Sequence, residues 1–424
     1  MIWDYRHQDI VLEALTGVHG LPNRGDVVID QACLRAQLRD GVAELRVDEE
    51  PVIYGGMLIR HFGHFIHESL SRLWWLGPLA AMPPHVREAA EHLQSLEARV
   101  CFFMPPWLVC GKDLLPYMEE ILASLGLAAE RVLILAAPRR FERMLIPFQA
   151  WGFQLDQNSL DQRYGCDSRA LMRRMLAANQ FLSDAGPAPS LSMGHPRGIE
   201  GEPRRRRVFV SRSQLPLDLG RLIGDVLLDP VLSEGGFEVF YPEQHSLGEQ
   251  ISRYSAADEI VFIDGSSLYL LWFSRLKPGA RIRVILRRRQ GRWLTERLLE
   301  LLPQASSLRW ELIDALMGEA LTAKEDWLSH NLIDLGKVLH VLLGQAPASL
   351  SPVTQQALAT YAHQLTANLS PGQQAAILTA LLAAMATRQA PKRGQRLRRL
   401  GRRVVERLRP ISLLKRVASR IGEA

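Results

Sequence analysis

The stretch Glu259-Ile-Val-Phe-Ile263-Asp264-Gly265-Ser266-Ser267-Leu268 decides the fold class. Ile260 to Ile263 is an unbroken apolar, largely β-branched run, the signature of a strand buried on both faces. Asp264-Gly265-Ser266-Ser267 stops that strand and opens a helix expected to reach about Arg275. The same alternation repeats on either side. Arg207 to Val210 and Phe237 to Tyr241 read as preceding strands, and Arg281 to Leu286 as a following one. Ser246-Leu-Gly-Glu249 has the Ser-x-x-Glu form of a capping box and opens a helix to about Ala257. This β-loop-α-β-loop-α-β order is half of a doubly wound nucleotide-binding fold. Such sheets take ligands at the C-terminal ends of their strands, where the Asp264 turn lies.

Toward the N-terminus, Asp26 to Asp30, Arg99 to Met104 and Arg131 to Leu135 read as buried strands. Helical patterns lie between them, notably His61 to Leu76 and Lys112 to Leu125, which again favours a parallel sheet covered on both faces. Asp184 to Arg207 interrupts the alternation with four prolines, four glycines and a final run of arginines, and marks a boundary. From about Leu312 strand signals disappear, and Leu-, Ala- and Gln-rich helical patterns take over. The expected organisation is an N-terminal α/β domain over residues 1–185, a linker at 186–206, a nucleotide-binding domain at 207–310, a helical region at 311–390 and a basic tail at 391–424.

Composition narrows the class. A 424-residue chain that is 47% hydrophobic and 23% charged has enough apolar material for a sizeable core, which excludes wholesale disorder. The net charge of +6 is unevenly spread. Residues 391–424 hold twelve Lys or Arg against Glu406 and Glu423, a net of +10, which leaves −4 for the remainder. Within the tail, Leu397, Leu400, Val404 and Leu408 recur at helical spacing with arginines on the other faces. That is the pattern of a basic amphipathic helix lying on an anionic membrane surface. The tail has no aromatic side chains for base stacking and belongs to no recognisable nucleic-acid module, so no nucleic-acid partner is expected. The four cysteines form no CxxC pair and suit a reducing compartment. The first residues lack the layout of a signal peptide, and the longest apolar run, Ala375 to Ala386, falls short of the ~20 residues a span requires. The expected location is cytoplasmic, peripheral on the inner face of the cell membrane.

Three constellations carry possible chemistry. In Gly55 to Trp75, read as a helix, His61, His64, Glu68 and Arg72 share one face, while Phe62, Ile66, Leu70 and Leu73 share a core-facing one. An imidazole and a carboxylate one turn apart suit general-base chemistry, and Arg72 suits an anionic group. His67 falls off that face, which disfavours a metal site on His61, His64 and His67. In the second constellation, Ser211 and Arg212 follow a buried strand and are placed to meet a phosphate. In the third, Gly265, Ser266 and Ser267 present backbone donors at a helix start, a seat for a diphosphate.

Taken in order, these segments resemble glycosyltransferase family 61, whose bacterial members are often labelled capsular polysaccharide biosynthesis proteins. The resembling residues are Gly63-His64-Phe65, Glu68-Ser-Leu and Arg72-Leu-Trp, then Val208-Phe-Val-Ser211-Arg212-Ser213. Gly236 to Glu243, Ser246 to Ile251 and Asp264-Gly265-Ser266 complete the set. The resemblance runs from about Tyr54 to Leu286. It implies a GT-B-like architecture, two Rossmann-like domains facing a cleft, here with an added C-terminal helical region and basic amphipathic tail. It also implies inverting, metal-independent transfer from a nucleotide-sugar donor to a saccharide or lipid-linked acceptor, with no cofactor. By the same resemblance Ser211, Arg212, Gly265, Ser266 and Ser267 meet the donor phosphates, and Glu243 and Glu249 lie near the donor. His64, Glu68, His61 and Arg72 face the acceptor, with Glu68 the base candidate, oriented by His64. Family members commonly carry a histidine where this chain has Asp264, and a small polar residue where it has Leu270. A different donor, Asp264 as the base, and lost catalysis are all consistent with that departure. The last corresponds to a non-catalytic scaffold or binding subunit of a polysaccharide assembly complex.

Overall fold

The computed structural model describes residues 3–4, 9–10, 47–104, 113–135, 139–152, 157–179, 181, 205–216, 219–302, 305–321 and 330–344. The strand expected at Asp26 to Asp30, most of the Asp184 to Arg207 connector, the Ala375 to Ala386 run and the basic tail lie outside the described residues.

The first sheet contains β1 (Val52–Met57), β2 (Arg99–Phe103), β3 (Val132–Leu135) and β4 (Met144–Leu145). Their order is β3-β2-β1-β4, with every pair parallel. Successive residues of β1 are buried with no polar alternation, as a strand covered on both faces requires. Between the strands lie α1 (Phe62–His67), α2 (Pro84–Ser95) and α3 (Pro116–Ser124). The last two open on proline, which costs no helical hydrogen bond in the first turn. Helix α4 (Ser168–Ala177) is capped by Asp167, whose carboxylate accepts from the Ala170 amide at 2.8 Å.

The second sheet is built from β5 (Arg207–Val210), β7 (Glu238–Phe240), β8 (Glu259–Ile263), β9 (Arg281–Ile285) and β10 (Arg309–Ile313), with β6 (Leu222–Ile223) lying outside it. The order β7-β5-β8-β9-β10 is wholly parallel. Counted along this half it is 2-1-3-4-5, so the chain reverses direction across the sheet between β5 and β8. Crossovers run through α5 (Leu228–Glu234), α6 (Leu247–Ala256), a 3-10 helix at Ser266–Phe273 and α7 (Gly291–Leu299). The strand residues divide by parity between two apolar layers. Ile260 and Phe262 join a core that also holds Ile53, Val100, Trp75 and Trp272. Val261 and Ile263 face the other side, against Leu228, Val231 and Leu339.

Three expectations need correction. Strands do not end near Leu312. β10 runs to Ile313, and β11 (Leu316–Leu321) and β12 (His330–Ile333) pair antiparallel, with β6 added parallel to β12. Leu316 to Leu321 has no alternation of its own, and its extended form depends on pairing. In this region α8 (Leu335–Leu343) is helical, capped by Asp334 and ended at left-handed Gly344.

The helix expected over His61 to Leu76 is broken. α1 stops at His67, and short 3-10 turns follow at Ser69–Arg72 and Trp74–Leu76. Serine hydroxyls divert the backbone. Ser69 Oγ accepts from Ile59 N at 3.1 Å and donates to Met57 O at 2.6 Å, and Ser71 Oγ donates to Glu68 O at 2.6 Å. Finally, the segment after Asp264 is 3-10 rather than α-helical, with Leu268 and Leu270 to Phe273 buried.

Candidate functional site

The reversal point of the second sheet gathers the C-terminal ends of β5 and β8. Ser211 and Arg212 leave the first, and Asp264, Gly265 and Ser266 leave the second. Arg212 is 8% exposed. Its Nη2 donates to Leu219 O at 3.4 Å, and its buried Nε has no hydrogen-bond partner. A side chain at Gly265 would strike it, since a Cβ there would stand 2.5 Å from Nη1. Burial holds the Arg212 guanidinium below its ordinary pKa, while Asp264 and Asp225 pull it back up. Ser267 Oγ, in the same turn, is also buried without a partner.

Ser211 is committed to another task. Its hydroxyl donates to Asp229 at 2.7 Å, and Ser213 and Tyr241 bind the same carboxylate. It therefore shapes the turn that carries Arg212. Asp264 is 2% exposed and ion-paired with Arg288 at 3.2 Å, while Arg287 Nε donates to its backbone carbonyl at 3.2 Å. Its carboxylate fills the space beside Gly291, where a Cβ would lie 2.2 Å from Oδ2, so it sits at the N-terminus of α7.

From the first sheet, α1 packs against the 3-10 helix of the Ser266 turn. A Cβ at Gly63 would come within 2.9 Å of Tyr269 and 3.4 Å of Ser266, so only glycine permits this approach. The His64 and Glu68 pair forms as expected, with Nδ1 to Oε1 at 2.5 Å. Arg72 does not share their face. The break after His67 turns it inward, where it is 2% exposed, donates to Pro147 O at 2.5 Å and lies over the Tyr54 ring. The same break brings His67 in. Its Nε2 is 3.5 Å from Glu68 Oε1, and its ring stacks on Tyr269 at 5.3 Å. Burial raises the Tyr269 phenol; Arg288 pulls it down, while Glu68 and Asp264 push it up. That one phenol feels all three charges ties the two walls together.

His61 is exposed at the start of α1, with its ring 4.9 Å from that of His64. Glu243 is exposed after β7. Both halves of the Ser246 and Glu249 capping box are formed, so the exposed Glu249 carboxylate is engaged by Ser246 and held below its ordinary pKa by it. Tyr269 and Arg288 were not singled out from sequence, and His67 was weighed only as a metal ligand and set aside. His67 had a signal, adjacency to Glu68, that the assumption of a continuous helix hid.

The arrangement offers an anion seat of buried arginine and turn donors, faced by an imidazole-carboxylate pair. The chain matches the protein-family model described as Glycosyltransferase 61 over residues 62–283, just over half its length. No curated protein matches it.

Proposed function

The chain belongs to glycosyltransferase family 61, and on that premise we propose an inverting enzyme of bacterial type that moves a sugar from a nucleotide-sugar donor to a saccharide or lipid-linked acceptor in surface polysaccharide assembly. The observation that carries this reading is Arg212, a buried guanidinium with an unpartnered Nε beside the Gly265 turn at the strand-order reversal. A buried guanidinium with an unsatisfied Nε is costly unless a ligand completes it. A donor diphosphate supplies what Arg212 Nε and Ser267 Oγ lack.

In this mechanism Glu68, its carboxylate held by His64, takes the proton from the acceptor hydroxyl. The oxygen attacks the anomeric carbon from the face opposite the leaving group, and Arg212 and the turn donors stabilise the departing nucleoside diphosphate. No metal or cofactor is assigned to that transfer. The pairing of Asp264 with Arg288, and its place at the start of α7, support a counter-ion role rather than that of the base. Arg288 then offsets the negative charge that Asp264 would otherwise present to a diphosphate. The two sheets are assigned to the acceptor and donor sides of a GT-B arrangement, and residues 391–424 to attachment at the inner face of the membrane.

The test is nucleotide release by the full-length protein from a panel of nucleotide sugars, with a thermal-shift screen for binding. One donor class is expected to stabilise the protein and to be turned over. Arg212→Ala is expected to weaken both effects sharply. An intact fold without turnover of any donor overturns the enzyme and leaves a binding subunit. Removing residues 391–424 is expected to reduce membrane recovery while preserving turnover of a soluble acceptor.

A further inference from the structure

We propose that His64, His67 and Glu68 form a site for a divalent transition-metal ion of the zinc class. One ligand atom from each residue lies within 4.8 Å of the others. The His67 and Glu68 side chains are 3% and 4% exposed and that of His64 is 29% exposed, so the group is walled on one side and open on the other.

His64 Nδ1 meets Glu68 Oε1 at 2.5 Å, which one shared proton explains. His67 Nε2 is directed at the same oxygen from 3.5 Å, beyond the usual N–H···O range. Two imidazoles converging on one buried carboxylate oxygen suit a centre larger than a proton. Zinc bonded at about 2.0–2.1 Å in a tetrahedral site holds its ligand atoms ~3.3 Å apart, and the two separations to Glu68 Oε1, 2.5 and 3.5 Å, lie on either side of that distance.

The donor set is two imidazole nitrogens and one carboxylate oxygen, which suits zinc or a neighbouring first-row ion. The fourth position faces the exposed side of His64, where water reaches it. His67 is held in place by stacking on Tyr269, with an interplanar angle of 21°, so one ligand is oriented before any ion arrives. An ion bound here takes the carboxylate and the imidazole assigned above to proton transfer. It is therefore expected to inhibit, a consequence that rests on the sugar-transfer reading, whereas the binding itself does not.

The experiment uses the full-length protein stripped with a chelator and titrated with Zn2+ by calorimetry and with Co2+ by visible absorption. The expected result is one ion per chain and a cobalt spectrum of low coordination number. Affinity is expected to fall about tenfold or more in His67→Ala and in Glu68→Ala, since ligand loss costs at least as much as loss of an outer-shell partner. His64→Gln, at the most exposed ligand, keeps the test open if the buried variants do not fold. No uptake by the stripped protein, or uptake unchanged in folded variants, overturns the site. Zinc uptake by a protein that transfers no sugar even when stripped supports the site and sinks the transfer reading; sugar transfer by the stripped protein without any zinc uptake does the reverse.

Discussion

The two ends of the second sheet are built from the same residue types and use them differently. Toward its N-terminal end, Arg207 pairs with Glu259 at 2.8 Å and lies over the Phe237 ring, and Arg283 reaches Glu259 and Glu311, each at 3.1 Å. Charges there are ion-paired across β5, β8, β9 and β10, although Arg283 Nε and Glu259 Oε1 complete no hydrogen bond of good geometry. At the C-terminal end, Arg212 is buried with an unpartnered Nε, and Ser267 Oγ is buried unpartnered nearby. The first arrangement holds a sheet together. The second is one that stability alone does not favour, because a desolvated donor left unsatisfied costs free energy. The contrast separates what maintains the fold from what awaits a ligand.

The largest expected effect follows from removing Arg212. Arg212→Ala is expected to lower kcat/KM for the donor by about 10²–10³-fold, the usual cost of losing one preorganised donor to a developing anion. Its thermal midpoint is expected to hold or rise, because the variant no longer buries an incompletely paired guanidinium. Arg212→Lys is expected to recover only part of the loss, since a point charge replaces a fork. Steady-state kinetics beside a melting curve reads both halves. Full activity in Arg212→Ala removes it from the donor site.

The matched end answers in the opposite way. Arg283 is 8% exposed and joins two strands through carboxylates. Arg283→Ala leaves the partly buried Glu259 with Arg207 as its remaining partner and is expected to cost about 1–3 kcal/mol of stability. Urea unfolding measures that loss, and kcat at a temperature where the variant is folded is expected to stay near wild type. A variant that loses turnover but not stability erases the distinction between the ends.

Much of the fold around this contrast was legible in the residues, and the reasons are local. Ile260 to Ile263 is apolar without interruption because both faces of β8 are covered, so the strand announces itself. Ser246 and Glu249 satisfy each other's backbone within one turn, and the box formed as spaced. What was hidden depends on distant partners. β11 owes its extended form to β12. Asp264 meets Arg288 and Gly291 from more than twenty residues away, which no local spacing encodes. The end of α1 was written in Ser69 and Ser71, but the Ser69 partners Met57 and Ile59 lie in the preceding segment. That break moved Arg72 out of the site and His67 into it.

A finer test at the unmatched end concerns Ser267. Its hydroxyl is buried without a partner in the turn, so a donor phosphate would be its first. Ser267→Ala removes one neutral hydrogen bond, worth about 1 kcal/mol, and is expected to raise donor KM roughly fivefold with little change in kcat. A lowered KM would place the donor elsewhere.

The smallest effect separates support from contact within the same loop. Asp229 holds Ser211, Ser213 and Tyr241, and burial raises its carboxyl above the ordinary 3.8 while those hydroxyls pull it down. A carboxyl whose pKa is raised by folding binds its proton more tightly in the folded state. Its protonation therefore favours the fold at low pH, and that contribution fades as pH climbs from 3.8 toward the raised value. Asp229→Asn has nothing to titrate. Its stability relative to wild type is expected to improve with rising pH across that window and to level off above it. Urea midpoints at a series of pH values follow the difference, in which other titrating groups cancel. A difference that worsens with pH means the three hydroxyls outweigh burial, and Asp229 is then held as an anion to brace the turn beneath Arg212.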